Sequence, residues 1–221
     1  MNRGDIRDEI RRKTNDTDSN NYVNTDAVLN AWIELSHQNI GSETKCDPYR
    51  YTASIVANTA EYAMPDYFIE ATGVMYLSDG EWVPLRKYTE NDLDAEDPGW
   101  RDISGTPRQW YQRINYIGLV PYPTAAVTNG LRIDMVRLPT IFSTDADVPF
   151  DGVKDMYPYH EIICFDAALR ALSSDDKRYA IYSRERDILK KKMFSQVNNK
   201  SSETRITNVY DSLRRNNRRA R

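Results

Sequence analysis

A chain of 221 residues suffices for one sizeable domain, or for one core that carries an inserted subdomain. With 40% hydrophobic and 29% charged residues, a packed core is expected and wholesale disorder is excluded. A net charge of −3 and a pI of about 5.5 exclude a protein that coats nucleic acid with its whole surface. No window reaches the roughly 20 apolar residues that span a bilayer. The opening Met1-Asn-Arg-Gly-Asp-Ile lacks the apolar stretch of a secretory signal. A soluble protein made in the cytoplasm, with no membrane contact, is expected. Cys46 and Cys164 are far apart, in no C-x-x-C pattern, and read as free thiols of a reducing compartment. Fifteen tyrosines and four tryptophans stand against five phenylalanines. Such residues suit surfaces that are buried yet partly wet, and so hint at assembly, although they also build β-rich cores.

In chain order, Ile6 and Ile10 at i, i+4 predict a first helix over 3–14. Asp16 to Asn21 reads as a polar loop. Asn24 or Thr25 can cap a second helix, which runs to Ile40 with Val28, Leu29, Trp32, Ile33 and Ser36 on one face and Gly41 as its stop. From Tyr49 the pattern turns to period two. Strands are expected from Tyr49, over Phe68–Leu77, over Glu81–Arg86 with Pro84 marking an edge, on either side of Asn115, and over Leu131–Leu138. Asp79-Gly80 signals a two-residue hairpin. The acidic run Glu90, Asp92, Asp94, Glu96 and Asp97 lacks the EF-hand pattern and reads as a solvated loop or short helix.

Helix returns at Pro158, with Ile162, Ile163, Phe165, Leu169 and Leu172 on one face. Another helix follows Ser174, carrying Tyr182, Leu189, Met193 and Val197. The fold class is therefore α+β: a helical bundle formed from both chain ends, an inserted antiparallel β subdomain, and an extended C-terminal tail. The expected divisions are 1–45 for the N-terminal helices, 46–140 for the β subdomain, 141–197 for the C-terminal helices and 198–221 for a basic tail. In that tail the cations Lys200, Arg205, Arg214, Arg215, Arg218, Arg219 and Arg221 accompany the sparse anchors Ile206, Val209, Tyr210 and Leu213. The charge run alone leaves three readings open for this segment: docking on an acidic protein surface, contact with DNA, or a solvated tail.

No constellation for catalysis emerges. His37 and His160 lie in no metal-binding motif, and their structural role is the better reading. There is no nucleophile elbow, P-loop or dinucleotide fingerprint. Acids are plentiful, but no pair is singled out as a glycosidase dyad. No cofactor, metal or enzymatic activity is expected.

The central punctuation, taken in order, resembles the head-to-tail adaptors of podovirus-type phages, the SU10-like adaptor family, and more distantly the P22-type tail accessory factors. The residues that carry it are Tyr62-Ala-Met-Pro65, Gly73-Val74, Trp82-Val-Pro-Leu85, Gly105-Thr-Pro107 followed by Trp110-Tyr111, Leu119-Val-Pro121-Tyr-Pro123, and Leu131 to Pro139. The resemblance runs from Val23 to Leu189. It implies a structural virion protein, a ring of commonly twelve copies in the neck beneath the portal, extending the channel through which genomic DNA passes. Its partners would be the portal protein, further copies of the chain, and the next tail or nozzle protein. Candidate docking residues are then those of the tail, and candidate assembly aromatics are Trp82, Trp110, Tyr111 and Tyr116. Two other readings remain open: a phage-associated peptidoglycan hydrolase, and a packaging-associated DNA-binding protein acting through the tail.

Overall fold

A computed structural model describes the backbone of residues 1–20 and 22–219, and the side chains of the same residues as far as 198. The elements run α1 (Arg3–Thr14), α2 (Asp26–Thr44), β1 (Pro48–Ile55), β2 (Glu61–Ala63), β3 (Phe68–Ser78), β4 (Glu81–Pro84) and β5 (Arg86–Lys87). They continue with α3 (Glu90–Glu96), β6 (Gln109–Arg113), β7 (Tyr116–Val120), β8 (Val127–Arg137), α4 (Glu161–Ala171) and α5 (Lys177–Arg219). These form two units, Met1–Cys46 with Pro139–Arg221, and Asp47–Leu138. The fold class is α+β, as expected: helices from both chain ends, and strands between them.

In the helical unit, α1 begins where Asn2 and Asp5 cap each other. The Asp5 N–H donates to Asn2 Oδ1 at 2.8 Å, and the Asn2 N–H donates to Asp5 Oδ2 at 2.9 Å. Helix α2 begins on Thr25, which accepts the Val28 N–H. It does not stop at Gly41. It runs one more turn to Thr44 and ends on Lys45 in the left-handed conformation, φ 54°. Gly41 is buried inside the helix, and a Cβ there would lie 2.2 Å from Cγ of Pro139. Its glycine is required by close approach and not by termination. Helix α4 packs against α1, α2 and α5. Ile6 and Ile10, Leu29, Ile33 and Ile40, Ile162 and Ile163, and Met193 join in one core. Val28, expected on the core face of α2, is 39% exposed. Pro158 lies in a 3₁₀ turn, Lys154–Tyr159, one step ahead of α4. Cys46 and Cys164 are free and buried, and burial pushes the Cys164 thiol up to about 12.

The second unit holds two four-stranded sheets, ordered β1-β8-β3-β4 and β2-β7-β6-β5. Between β3 and β4, Asp79 and Gly80 both take positive φ, 51° and 80°, as a two-residue hairpin demands. Pro84 sits on the edge strand β4, which pairs with β3 alone. The named strands pair antiparallel except for the short β5–β6 pair, whose long connection through α3 permits the parallel sense. Phe68, Val74, Tyr76, Trp110, Ile117, Leu131 and Ile133 belong to one apolar core. The acidic run is the short helix α3, capped by Thr89. Its Leu93 packs with Trp100, Tyr111 and Val120. Asp94 of that run is occupied by Trp100 Nε1 at 2.8 Å and by Arg101.

Candidate assembly surfaces

The four candidate aromatics divide by burial. Trp110 is 1% exposed and Tyr111 4%, so both belong to the interior of the β unit. The Tyr111 ring covers Gly118 on β7, where a Cβ would come within 2.1 Å of its ring carbons. Its hydroxyl donates to Glu61 at 2.8 Å, and its ring meets Trp100 edge-on at 5.1 Å. Burial, then that hydrogen bond, push the phenol well above its ordinary range. Trp82 on β4 is half-buried, with the Arg132 guanidinium 4.1 Å from its ring centroid. Tyr116 is 45% exposed at the start of β7.

Beside Tyr116 is a feature that sequence reading missed. The two-residue loop of the β6–β7 hairpin, between the paired Arg113 and Tyr116, places Ile114 at φ 50°. A β-branched residue is poorly suited to that conformation, which costs of order 1–3 kcal/mol in residues other than glycine. Ile114 is nevertheless 83% exposed. The available signal was an isoleucine in a turn position that favours glycine or asparagine. Replacing Ile114 with glycine is expected to raise the stability of the β unit by about 1 kcal/mol, because the strain is relieved and no core contact is lost. Thermal melting reads this; an unchanged or lower midpoint contradicts it.

On the helical unit, α2 is apolar on two sides. Leu29, Ile33, Ser36 and Ile40 face the core, while Val28, Ala31 and Leu35 form an outward stripe at i, i+3, i+7. Leu35 is 46% exposed. In the loop before α2, Tyr22 and Val23 are also exposed. On α5, Tyr182, Leu189 and Val197 pack against the core around Met193, and Ile181 is 57% exposed. The tail candidates Arg205, Ile206, Val209, Tyr210, Leu213, Arg214, Arg215, Arg218 and Arg219 lie outside the described side chains.

Both histidines are interior residues of the helical unit. The His37 ring stacks on Phe142 at 4.5 Å, and its Nε2 accepts the Phe150 N–H at 2.8 Å. His160 is 1% exposed, with Phe150 and Tyr157 against its ring. His37 Nδ1 and His160 Nε2 make no hydrogen bond among the described residues. Burial lowers each to about 4. Among the described residues, no group of three or more His, Cys, Asp or Glu side chains could hold a metal ion, and no helix is long and apolar enough to cross a membrane.

Comparison with curated proteins finds no match. The family model described as SU10 adaptor protein matches residues 1–214, nearly the whole chain and both of its units, and the protein therefore belongs to the SU10 adaptor family, with a structural role as a phage head-to-tail adaptor.

Proposed function

We propose that this chain is the repeating subunit of a ring in the virion neck, twelve copies joining the portal to the tail and continuing the channel for genomic DNA. The observation that carries this reading is the family match across both units. The apolar side chains left exposed on each unit support it: Leu35 and Ile181 on the helices, Ile114 and Tyr116 on the β6–β7 hairpin. Ile114 and Tyr116, two residues apart on one hairpin, offer the apolar surface on which another protein can sit. The basic tail docks the ring on the portal. The arginines give it charge, and Ile206, Val209, Tyr210 and Leu213 give it apolar anchors. Of the four candidate aromatics, Trp82 and Tyr116 are the two left available for contacts outside the protomer, toward a neighbouring subunit or the next tail protein.

Co-sedimentation with phage heads tests this. The full chain is expected to pellet with heads that carry a portal and to stay in solution with heads that lack one. A chain ending at Asn198 should lose most of that binding while its melting curve persists. Equal binding to both kinds of head overturns the reading. Clearing of purified peptidoglycan, or steeply salt-dependent DNA binding by the free chain, would replace it with a hydrolase or a DNA-binding protein.

A further inference from the structure

The sheet β1-β8-β3-β4 ends in two open edges, and the register fixes which backbone groups each one turns outward. Of the edge strands in the β unit, β4, β2 and β5 are short, with four, three and two residues. Strand β1 has eight. Its single charged residue, Arg50, is held by Asp134 of β8 at 2.6 Å, and its single proline is the first residue, Pro48. A long edge without proline or free charge along it is a place for another strand. The Arg137 N–H donates to the Asp47 carbonyl at 3.1 Å. With Pro48 opposite Val136 and Tyr49 opposite Met135, alternation gives the backbone groups of Tyr49, Tyr51 and Ala53 to β8. Those of Arg50 and Thr52 therefore point away from the sheet. At the other edge the two-residue hairpin pairs Ser78 with Glu81, and the Leu85 N–H donates to Val74 at 2.9 Å. The groups turned outward there are the N–H and C=O of Trp82 and the C=O of Pro84.

We infer that β4 of one protomer pairs antiparallel with β1 of the next copy of the chain, Trp82 opposite Thr52 and Pro84 opposite Arg50. This rests on the ring reading and gives it a contact. Trp82 and Thr52 exchange two hydrogen bonds, and the Arg50 N–H donates to the Pro84 carbonyl. Moving the register two residues one way sets Pro84 against Pro48, where neither can donate. Moving it two residues the other way carries Trp82 to Ser54, into the irregularity between Ala53 and Ile55. Proline and bulge together select the register. The four strands of this sheet alternate in sense, so β1 of the next copy continues the alternation after β4. The two edges lie at opposite ends of the sheet, and the contact is head-to-tail, the kind that closes a ring. Pairing of β1 with β1 of another copy would give a closed pair and no ring. On one face Trp82 comes opposite Thr52 and diagonal to Arg50. On the other, Val83, 42% exposed, meets the half-buried Tyr51.

Disulfide trapping in full-length A53C/E81C tests the register. The junction sets these two positions directly opposite at a site without hydrogen bonds, with Cα atoms about 4.5 Å apart, within reach of a disulfide. Inside one protomer they stand on edges about 14 Å apart, too far to bridge. The native Cys46 and Cys164 are buried. Oxidation is run in the condition, protein alone or with portal, in which wild type forms rings. A covalent ladder that climbs past the dimer is expected, and none from A53C or E81C alone. T52P removes an N–H that β8 does not use, and is expected to assemble about tenfold more weakly or worse. Rings of the double variant without a ladder, covalent dimers from A53C alone, or T52P rings as strong as wild type overturn the junction while leaving the ring reading intact. A wild type that never assembles, even with portal, overturns the ring reading and the junction with it.

Discussion

Acidification from pH 7 to pH 5 is expected to remove roughly 4 kcal/mol from the stability of the helical unit, about 2 kcal/mol through each of His37 and His160. Burial holds both imidazoles near 4 in the folded protein, against an ordinary value of 6.5. The unfolded chain therefore binds protons more readily than the folded one. The stabilising contribution is complete above about 6.5 and is lost as pH falls from there towards 4. For His37 the cause is visible in the contacts. Its Nε2 accepts the Phe150 N–H, and protonation would set two donors against each other inside the core. That hydrogen bond also pins a turn in which Phe150, Asp151 and Gly152 all take positive φ, at 53°, 51° and 70°. The Asp151 carboxylate favours the charged ring, but burial outweighs it. Urea denaturation of wild type and H37Q at pH 7 and pH 5 checks this. The glutamine oxygen can accept the same N–H, so the variant should lose about half as much stability between the two pH values. Equal loss in both proteins contradicts the role given to His37.

Truncating Asp16 to alanine is expected to cost about 3–5 kcal/mol, the range for breaking a buried ion pair on one side. Asp16 and Arg11 are each about 5% exposed in their side chains and lie 3.2 Å apart. The Asp16 carboxylate accepts the Val23 and Asn24 N–H groups at 2.9 and 3.0 Å. Arg11 donates to the Asn24 carbonyl at 3.1 Å and to Asp26, and Tyr22 covers its guanidinium with the ring centroid 3.4 Å away. These groups tie the end of α1 to the start of α2. Without the carboxylate, Arg11 keeps only part of its compensation in a site with little water. Chemical denaturation at pH 7 reads the loss, and a change below about 1 kcal/mol would show that solvent or Asp26 alone satisfies Arg11.

What the sequence discloses depends on how local the cause is. Helix α1 was legible at its observed bounds because Ile6 and Ile10 carry its stripe. The Asp79-Gly80 hairpin was legible because both residues tolerate the left-handed conformation the turn imposes. The cap at Thr25 belongs to the same class. Causes that act across the chain were hidden. Gly41 looks like a helix stop, and only Pro139, far along the sequence, makes it an interior close contact. Asp16 looks like the start of a solvated loop until Arg11 and the Val23 and Asn24 amides fold around it. Trp110 and Tyr111 looked equally suited to an interface or a core. The register of β6 on β7, with Gly118 beneath Tyr111, places them inside the protomer. The second apolar stripe of α2 was readable in principle, because Val28 and Leu35 fall outside the Leu29–Ile33–Ile40 face. Reading Val28 with the core merged the two stripes. Family membership was legible from the order of the turn residues, which depends on local backbone demands more than on packing.

Light scattering combined with negative-stain microscopy, on the chain mixed with its portal protein, measures mass and rotational symmetry in one preparation. Rings with the mass of twelve chains, stacked coaxially on the portal, are the expected result. A chain that remains monomeric beside intact portal, or that binds it singly without closing a ring, contradicts the adaptor ring.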